Sequence, residues 1–355
     1  MRRGLVGGVV GALAVGAAAG LTAERYAVGR ARLKPDPALG EPFFDLPADR
    51  VRRVIADDGV ALHVEELGPP VTTPVPLTVI LIHGYTQELA VWHYQRQALA
   101  ADNPGRVVLY DQRSHGRSGR SSTAHSTIDQ LGRDLSDVLS ACAPTGPVVL
   151  VGHSMGGMTV MALADQQPEL FGSRIVGVAL MSTSTGRLAG LTFGLPAVAA
   201  PITGAVLPWL TRGMASRPRA FERTRRLGTD LAFLATRRGA FGSSDVSPSL
   251  VEFVEQMTAR CPVEVIAAFY DTFCDHDKLE ALEVLRRVET LVLVGSKDVM
   301  TPVDHSRVMA EAVPDAQLVV VEGAGHMVQL ECGPLVTLQL RALLRRALRA
   351  GARSA

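Results

Sequence analysis

Residues 152–157 read Gly-His-Ser-Met-Gly-Gly, a G-x-S-x-G pattern that follows an apolar β-branched run and opens a helical stretch. In that context the serine sits on a sharp strand-to-helix turn. Flanking glycines let backbone pass without Cβ clashes, and the hydroxyl is lifted above the sheet edge near the positive end of the helix. Ser154 could cap the helix or act as a nucleophile. Attack requires a base to take the hydroxyl proton and an acid to orient that base. Asp298 stands in Gly-Ser-Lys-Asp (295–298), after the apolar run 290–294; His326 stands in Glu-Gly-Ala-Gly-His (322–326), after the run 317–321. Ser182, Thr183 and Ser184 end the run 175–181 without a carboxylate, which leaves Asp298 as the acid. It could also simply cap the turn before Thr301-Pro302. Serine, acid and histidine come in the chain order expected of a triad assembled at strand ends.

A tetrahedral oxyanion on Ser154 would need two N–H donors. Met155, directly after the serine, and Tyr85, in the His-Gly-Tyr-Thr turn at 83–86, are the candidates. Losing one such donor costs roughly 3–4 kcal/mol of transition-state stabilisation. His83, His115 and His153 fall in loops or turns and are expected to hold backbone. None of the nine histidines has a metal-ligand partner at helical spacing, and the four cysteines (Cys142, Cys261, Cys274, Cys332) form no CxxC pair. No metal site and no cofactor is expected. Cys261 and Cys274 could pair in an exported domain, but buried free thiols are the expectation.

These residues need a scaffold, and the chain alternates strands with helices. Residues 51–56 and 60–66 read as a hairpin around Asp58-Gly59. Continuous apolar runs at 77–83, 106–110, 147–151, 175–181, 290–294 and 317–321 suit strands buried on both faces. Helical spacing appears at 89–101, 127–141, 154–167, 304–312 and 335–348. The pattern predicts an α/β fold: a mostly parallel central sheet covered by helices on both faces, with the hairpin at one edge. In such a sheet the strand C-termini share one edge, which would gather Ser154, Asp298 and His326.

Over 355 residues, 47% are apolar and 20% charged, and the net charge is +1. That composition excludes long disorder and gives no general pull toward nucleic acid. The first residues differ in kind. Positions 4–23 carry no charge, and twenty helical residues span roughly 30 Å, a bilayer's hydrocarbon core. The run exceeds a usual signal-peptide core, which favours an N-terminal apolar helix anchoring the protein to the cell membrane. Cleavage near 17–19 to a secreted form, or a cytoplasmic chain with an apolar tail, stays open. The expected organisation is an apolar segment at 1–28, a Pro-rich linker at 29–49, and a core at 50–184 and 289–350 interrupted by an insertion at 185–288.

Taken together, HGYT (83–86), DQRSHGRS (111–118), GHSMGG (152–157), GSKDVMTP (295–302) and EGAGH (322–326) resemble the α/β-hydrolase superfamily, in its capped serine-hydrolase branch of esterase- and lipase-like proteins. The match runs over about residues 50–350 in the family's order. One departure is Ser114, where such proteins often have glycine. Relatives with aspartate as nucleophile are dehalogenases and epoxide hydrolases, and Ser154 argues against both. The lipase-type HGGG loop is absent.

The resemblance makes 185–288 a helical cap over the serine. Seven of the ten phenylalanines lie there (Phe193, Phe221, Phe233, Phe241, Phe253, Phe269, Phe273) and would line an apolar pocket or pack cap against body. Eight arginines from Arg212 to Arg238, against Glu222 and Asp230, suit either an anionic lipid surface or a solvated helix face. The expected activity is cleavage of a carboxylic ester with an apolar acyl chain, on a small-molecule or lipid substrate. Thioester, amide or carbon–carbon cleavage, cofactor-free perhydrolysis, and ligand binding without turnover remain alternatives on the same scaffold. Nothing in the sequence sets the oligomeric state.

Overall fold

The computed structural model describes residues 28–74, 76–101, 105–186 and 229–354, with isolated positions at 213, 216, 217 and 221. Among them eight strands form one sheet: β1 (Arg50–Ile55), β2 (Ala61–Leu67), β3 (Thr78–Ile82), β4 (Arg106–Tyr110), β5 (Val148–His153), β6 (Ile175–Met181), β7 (Glu289–Gly295) and β8 (Gln317–Val321). Their order across the sheet is β1-β2-β4-β3-β5-β6-β7-β8. The pairs β1–β2 and β2–β4 are antiparallel and all other neighbours are parallel, as the alternating sequence implies.

The helices are α1 (His93–Ala101), α2 (Ile128–Cys142), α3 (Met155–Gln166), α4 (Thr229–Ala240), α5 (Pro248–Arg260), α6 (Val263–Asp275), α7 (Val303–Ala312), α8 (Val328–Glu331) and α9 (Gly333–Ser354). Strand periodicity explains the two-sided core. Val79, Leu81, Val149, Val151, Leu291 and Leu293 pack on one face, with Leu99 of α1 and Leu340 and Leu343 of α9. The intervening Ile80, Ile82, Val148, Leu150 and Val292 pack on the other, with Leu135 of α2, Val160 of α3 and Met309 of α7. Each such side chain, once buried, contributes roughly 1.5–3 kcal/mol.

Register aligns the strand C-termini. Ile82 lies opposite Gly152, His153 opposite Met181, and Gly295 opposite Val321. The loops that follow β3, β5, β7 and β8 therefore open on one edge of the sheet.

Two parts of the expected organisation fall partly outside the described residues. The apolar run 4–23 does so entirely, and no helix among the described residues is long and apolar enough to cross a membrane. Of the insertion 185–288, α4, α5, α6 and a 3-10 segment at Glu280–Arg287 are described, while Phe193 and most of the arginine-rich stretch are not. Cys142 and Cys261 are buried, Cys332 is half-buried and Cys274 is exposed.

The segment 29–49 differs from a free linker, because it is docked. Val28, Ala31, Ala38 and Phe43 are buried in the same cluster as Phe233 of α4 and Phe253 of α5. The Phe43 and Phe253 rings stack at 4.4 Å, Lys34 pairs with Asp245 at 2.6 Å, and Ser249 Oγ donates to Asp36 at 2.7 Å. Prolines set the local turns there, but the apolar side chains between them give the strap a face to bury.

Candidate active site

Ser154 occupies the turn between β5 and α3 at φ 53°, ψ −119°. For a residue with a Cβ this is a strained backbone, of the kind that persists only where its surroundings impose it. The glycines explain how the turn fits. A Cβ on Gly152 would lie 2.4 Å from the Gly156 carbonyl oxygen, and one on Gly156 would lie 2.2 Å from that of Ile82. Ser154 N–H donates to Met181 O at 2.9 Å, and Thr183 Oγ1 donates to Ser154 O at 2.7 Å. The serine side chain makes no capping hydrogen bond, so the helix does not use its hydroxyl.

Asp298 and His326 meet from neighbouring loops. Nδ1 of His326 lies 2.9 Å from Oδ2 of Asp298 and 3.1 Å from Oδ1. The Met300 and Thr301 N–H groups each donate to Oδ1 at 2.9 Å, and the Thr301 hydroxyl donates to Oδ2 at 2.9 Å. Asp298 thus caps its own turn and also faces the imidazole. Burial opposes its ionisation, but the charge and hydrogen bond of His326 and the bonds from Thr301 prevail, holding the carboxyl below the usual carboxylate range. Close packing fixes the two loops together, since a Cβ on Gly295 would lie 2.3 Å from the Ala324 carbonyl oxygen.

The serine and histidine loops are joined by His153, whose Nε2 donates to the His326 carbonyl oxygen at 2.9 Å. Their rings lie 4.9 Å apart. His83 and His115 also bond main chain: Nδ1 of His83 donates to Gly84 O at 2.7 Å and Nδ1 of His115 to Arg113 O at 2.9 Å. Burial pushes His83 down to about 3, His115 to about 4 and His153 to about 3, so all three stay neutral.

Tyr85 lies on the loop after β3, against the serine turn. A Cβ added to Gly84 would be 3.0 Å from the Ser154 Cβ. The main-chain N–H of Tyr85 and that of Met155 donate no hydrogen bond to another described residue. Four residues other than glycine have positive φ among those described: Thr86, Ser114, Ser154 and Ser182. Each follows one of the strands β3 to β6, so strain collects at this edge of the sheet. Ser114, at φ 65°, also shows why glycine suits that position; here its Oγ accepts from Ser121 N at 2.8 Å and holds the turn.

Two supporting side chains escaped the sequence reading. Thr301, three residues beyond Asp298, was visible in Asp-Val-Met-Thr as a local turn partner. Gln87 accepts from Gly84 N–H at 3.0 Å and donates to Met327 Sδ at 3.4 Å, a link that no local pattern signals. Among the described residues, no three of His, Cys, Asp or Glu are grouped to hold a metal ion.

A family model for the alpha/beta hydrolase fold matches residues 78–332. The chain belongs to that family. This alpha/beta hydrolase is similar to a protein of Azorhizobium caulinodans described as a carbamate hydrolase, RutD, at 30% identity over 249 residues, 70% of this chain and 83% of that one. It is also similar to the dihydrolipoyllysine-residue acetyltransferase component of the acetoin cleaving system of Pseudomonas putida. That match has 27% identity over 282 residues, 79% of this chain, and spans about two thirds (66%) of the Pseudomonas protein. Among solved structures, a thermophilic esterase from Thermogutta terrifontis superposes with a TM-score of 0.64 at 26% identity, covering 84% of this hydrolase and 99% of the esterase.

Proposed function

We propose that this hydrolase cleaves carboxylic esters with an apolar acyl group through a covalent acyl-serine. The observation that carries the reading is the strained Ser154, its hydroxyl unused by the helix, next in the chain to a His153 that bonds the main chain of His326, whose Nδ1 is held by Asp298. Ser154 Oγ attacks the ester carbonyl carbon while His326 Nε2 takes its proton. The Tyr85 and Met155 N–H groups receive the oxyanion. Collapse of the tetrahedral intermediate breaks the bond to the alcohol oxygen, which leaves with the proton from His326. Water, deprotonated by the same imidazole, then releases the acid and restores Ser154. Asp298 keeps the imidazole in its working tautomer and stabilises the cation formed in each step.

The similarity to an esterase supports the ester. The apolar acyl group draws support from Phe269, Phe273, Met155 and Tyr85, which cluster where α6 of the cap meets the start of α3. A fluorophosphonate probe should label the wild type and not Ser154→Ala. Hydrolysis of p-nitrophenyl esters should rise from acetate to octanoate; a flat series would remove the apolar acyl group from the proposal. The relative described as a carbamate hydrolase favours a second substrate class on the same serine. An aryl carbamate turned over faster than every ester in the series would put that class first. We further propose that residues 4–23 anchor the enzyme at a membrane, which cell fractionation with protease protection tests.

A further inference from the structure

The loop that carries the Tyr85 N–H is gripped from outside the sheet. The Tyr85 hydroxyl donates to the Ile266 carbonyl oxygen, and its ring meets the Phe273 ring edge-on at 4.9 Å. Thr86 Oγ1 lies 3.4 Å from Thr258 Oγ1. Arg260 Nη1 donates to Glu88 Oε1 at 3.0 Å. All four partners belong to the cap, Thr258 and Arg260 to α5, Ile266 and Phe273 to α6.

The same loop is strained where it is gripped. Thr86 has φ 58°, a left-handed backbone that a β-branched residue adopts only under strain. From the body, Gln87 holds the turn by accepting from Gly84 N–H, and Leu89 N–H donates to Asp111 at 2.8 Å. Those contacts flank Tyr85 and Thr86 without holding either side chain. The Tyr85 ring also meets His115 of the body edge-on at 6.2 Å, but its hydroxyl and that of Thr86 both reach the cap.

We infer that the seated cap positions the oxyanion donor: α5 and α6 hold Tyr85 and Thr86 in the strained turn that presents the Tyr85 N–H to the substrate. The Tyr85 hydroxyl and Thr258 are positioning groups in this arrangement, and neither touches the reacting atoms. The inference rests on the proposed acyl-serine chemistry and deepens it. A cap that only covered the substrate would govern KM and acyl-chain preference. A cap that shapes the donor loop governs kcat, and does so equally for short and long acyl groups.

Tyr85→Phe keeps the ring against Phe273 and removes only the hydroxyl. It should lower kcat about tenfold on p-nitrophenyl acetate and octanoate alike, with KM changed less than about twofold. That loss is smaller than the roughly hundred- to thousandfold of deleting a donor outright. Thr258→Val should act in the same direction. Adding Thr86→Gly to Tyr85→Phe should recover much of the lost kcat, because glycine adopts positive φ without the Cβ penalty. Unchanged kcat in both single variants would overturn the inference. A loss appearing in KM and scaling with acyl length, or a loss that Thr86→Gly does not recover, would overturn it as well. Fluorophosphonate labelling separates the two levels. If the wild type labels and Ser154→Ala does not while Tyr85→Phe matches wild type, only the cap inference fails; if the wild type does not label, the acyl-serine proposal fails with it.

Discussion

His153 donates from Nε2 to the carbonyl oxygen of His326 across 2.9 Å, so the residue before the candidate nucleophile holds the main chain of the candidate base. The side chain of His326 is held separately, by Asp298. Backbone and ring of one histidine are thus fixed from the end of β5 and from the loop after β7, and its freedom to turn is small.

Replacing His153 with Phe preserves a buried ring and deletes the donor. The His326 carbonyl oxygen then loses its partner, at a cost of about 1–3 kcal/mol. The expected outcome is a folded protein with kcat down about tenfold and KM little changed, measured on a p-nitrophenyl ester together with a thermal melt. Full activity in a variant that melts normally would deny His153 this task.

Asp298→Asn leaves size and position in place but replaces the carboxylate that faces Nδ1. With its orienting acid gone, the imidazole favours the wrong tautomer, and kcat should fall by about 10⁴. Steady-state kinetics at neutral pH check this.

Much of this geometry is local and was legible. The strands at 106–110 and 175–181 coincide with the observed β4 and β6, because residues buried on both faces leave apolar runs; 317–321 coincides with β8, but as an edge strand in which only Val321 is fully buried, not the two-sided burial its run implies. Ser154 was legible for a similar reason: its glycines must lie within a few residues of it. Residues 89–101 were read as one helix, yet Leu89–Trp92 is a 3-10 turn that re-aims the chain before α1. Contacts made by the folded chain at long range left no such trace. Tyr85 and Ile266 are 181 residues apart, and Asp36 reaches Ser249 across 213, with no periodicity to announce either. Proline content marks 29–49 as a linker in the sequence, while the apolar side chains that dock it are scattered without a periodicity.

Acid should expose a buried ion cluster under the hairpin. Burial opposes charge on Glu65, but its bond with His63 and the guanidinium groups of Arg96 and Arg117 overcome this, holding the carboxyl at about 2 against an ordinary 4.5. A carboxyl depressed in the folded state adds stability that is present above pH 4.5 and is lost as pH falls from there toward 2. Glu65→Gln should lose that part of the acid dependence. It should also unfold about 3 kcal/mol more easily at neutral pH, since Arg96, 2.5 Å from Glu65, would be left buried without its anion. Urea titrations between pH 2 and 7 would measure both.

Gly156→Ala tests the elbow itself. Its Cβ would meet the Ile82 and His83 carbonyl oxygens at 2.2 and 2.8 Å, both main-chain atoms of the central sheet that cannot step aside. Loss of soluble protein, or a melting temperature lowered by at least ~5 °C with activity abolished, is expected. A fully active, equally stable variant would mean the turn is looser than its contacts indicate.

The docked strap leans on one end of a helix whose other end touches the Tyr85 loop. Lys34 and Asp36 reach Asp245, Ser247 and Ser249, just before and at the start of α5. The far end of that helix carries Thr258 and Arg260, which clasp the loop beside the serine. One helix thus meets the strap at its start and the Tyr85 loop at its end, so a change in how the strap seats has a short physical route to that loop.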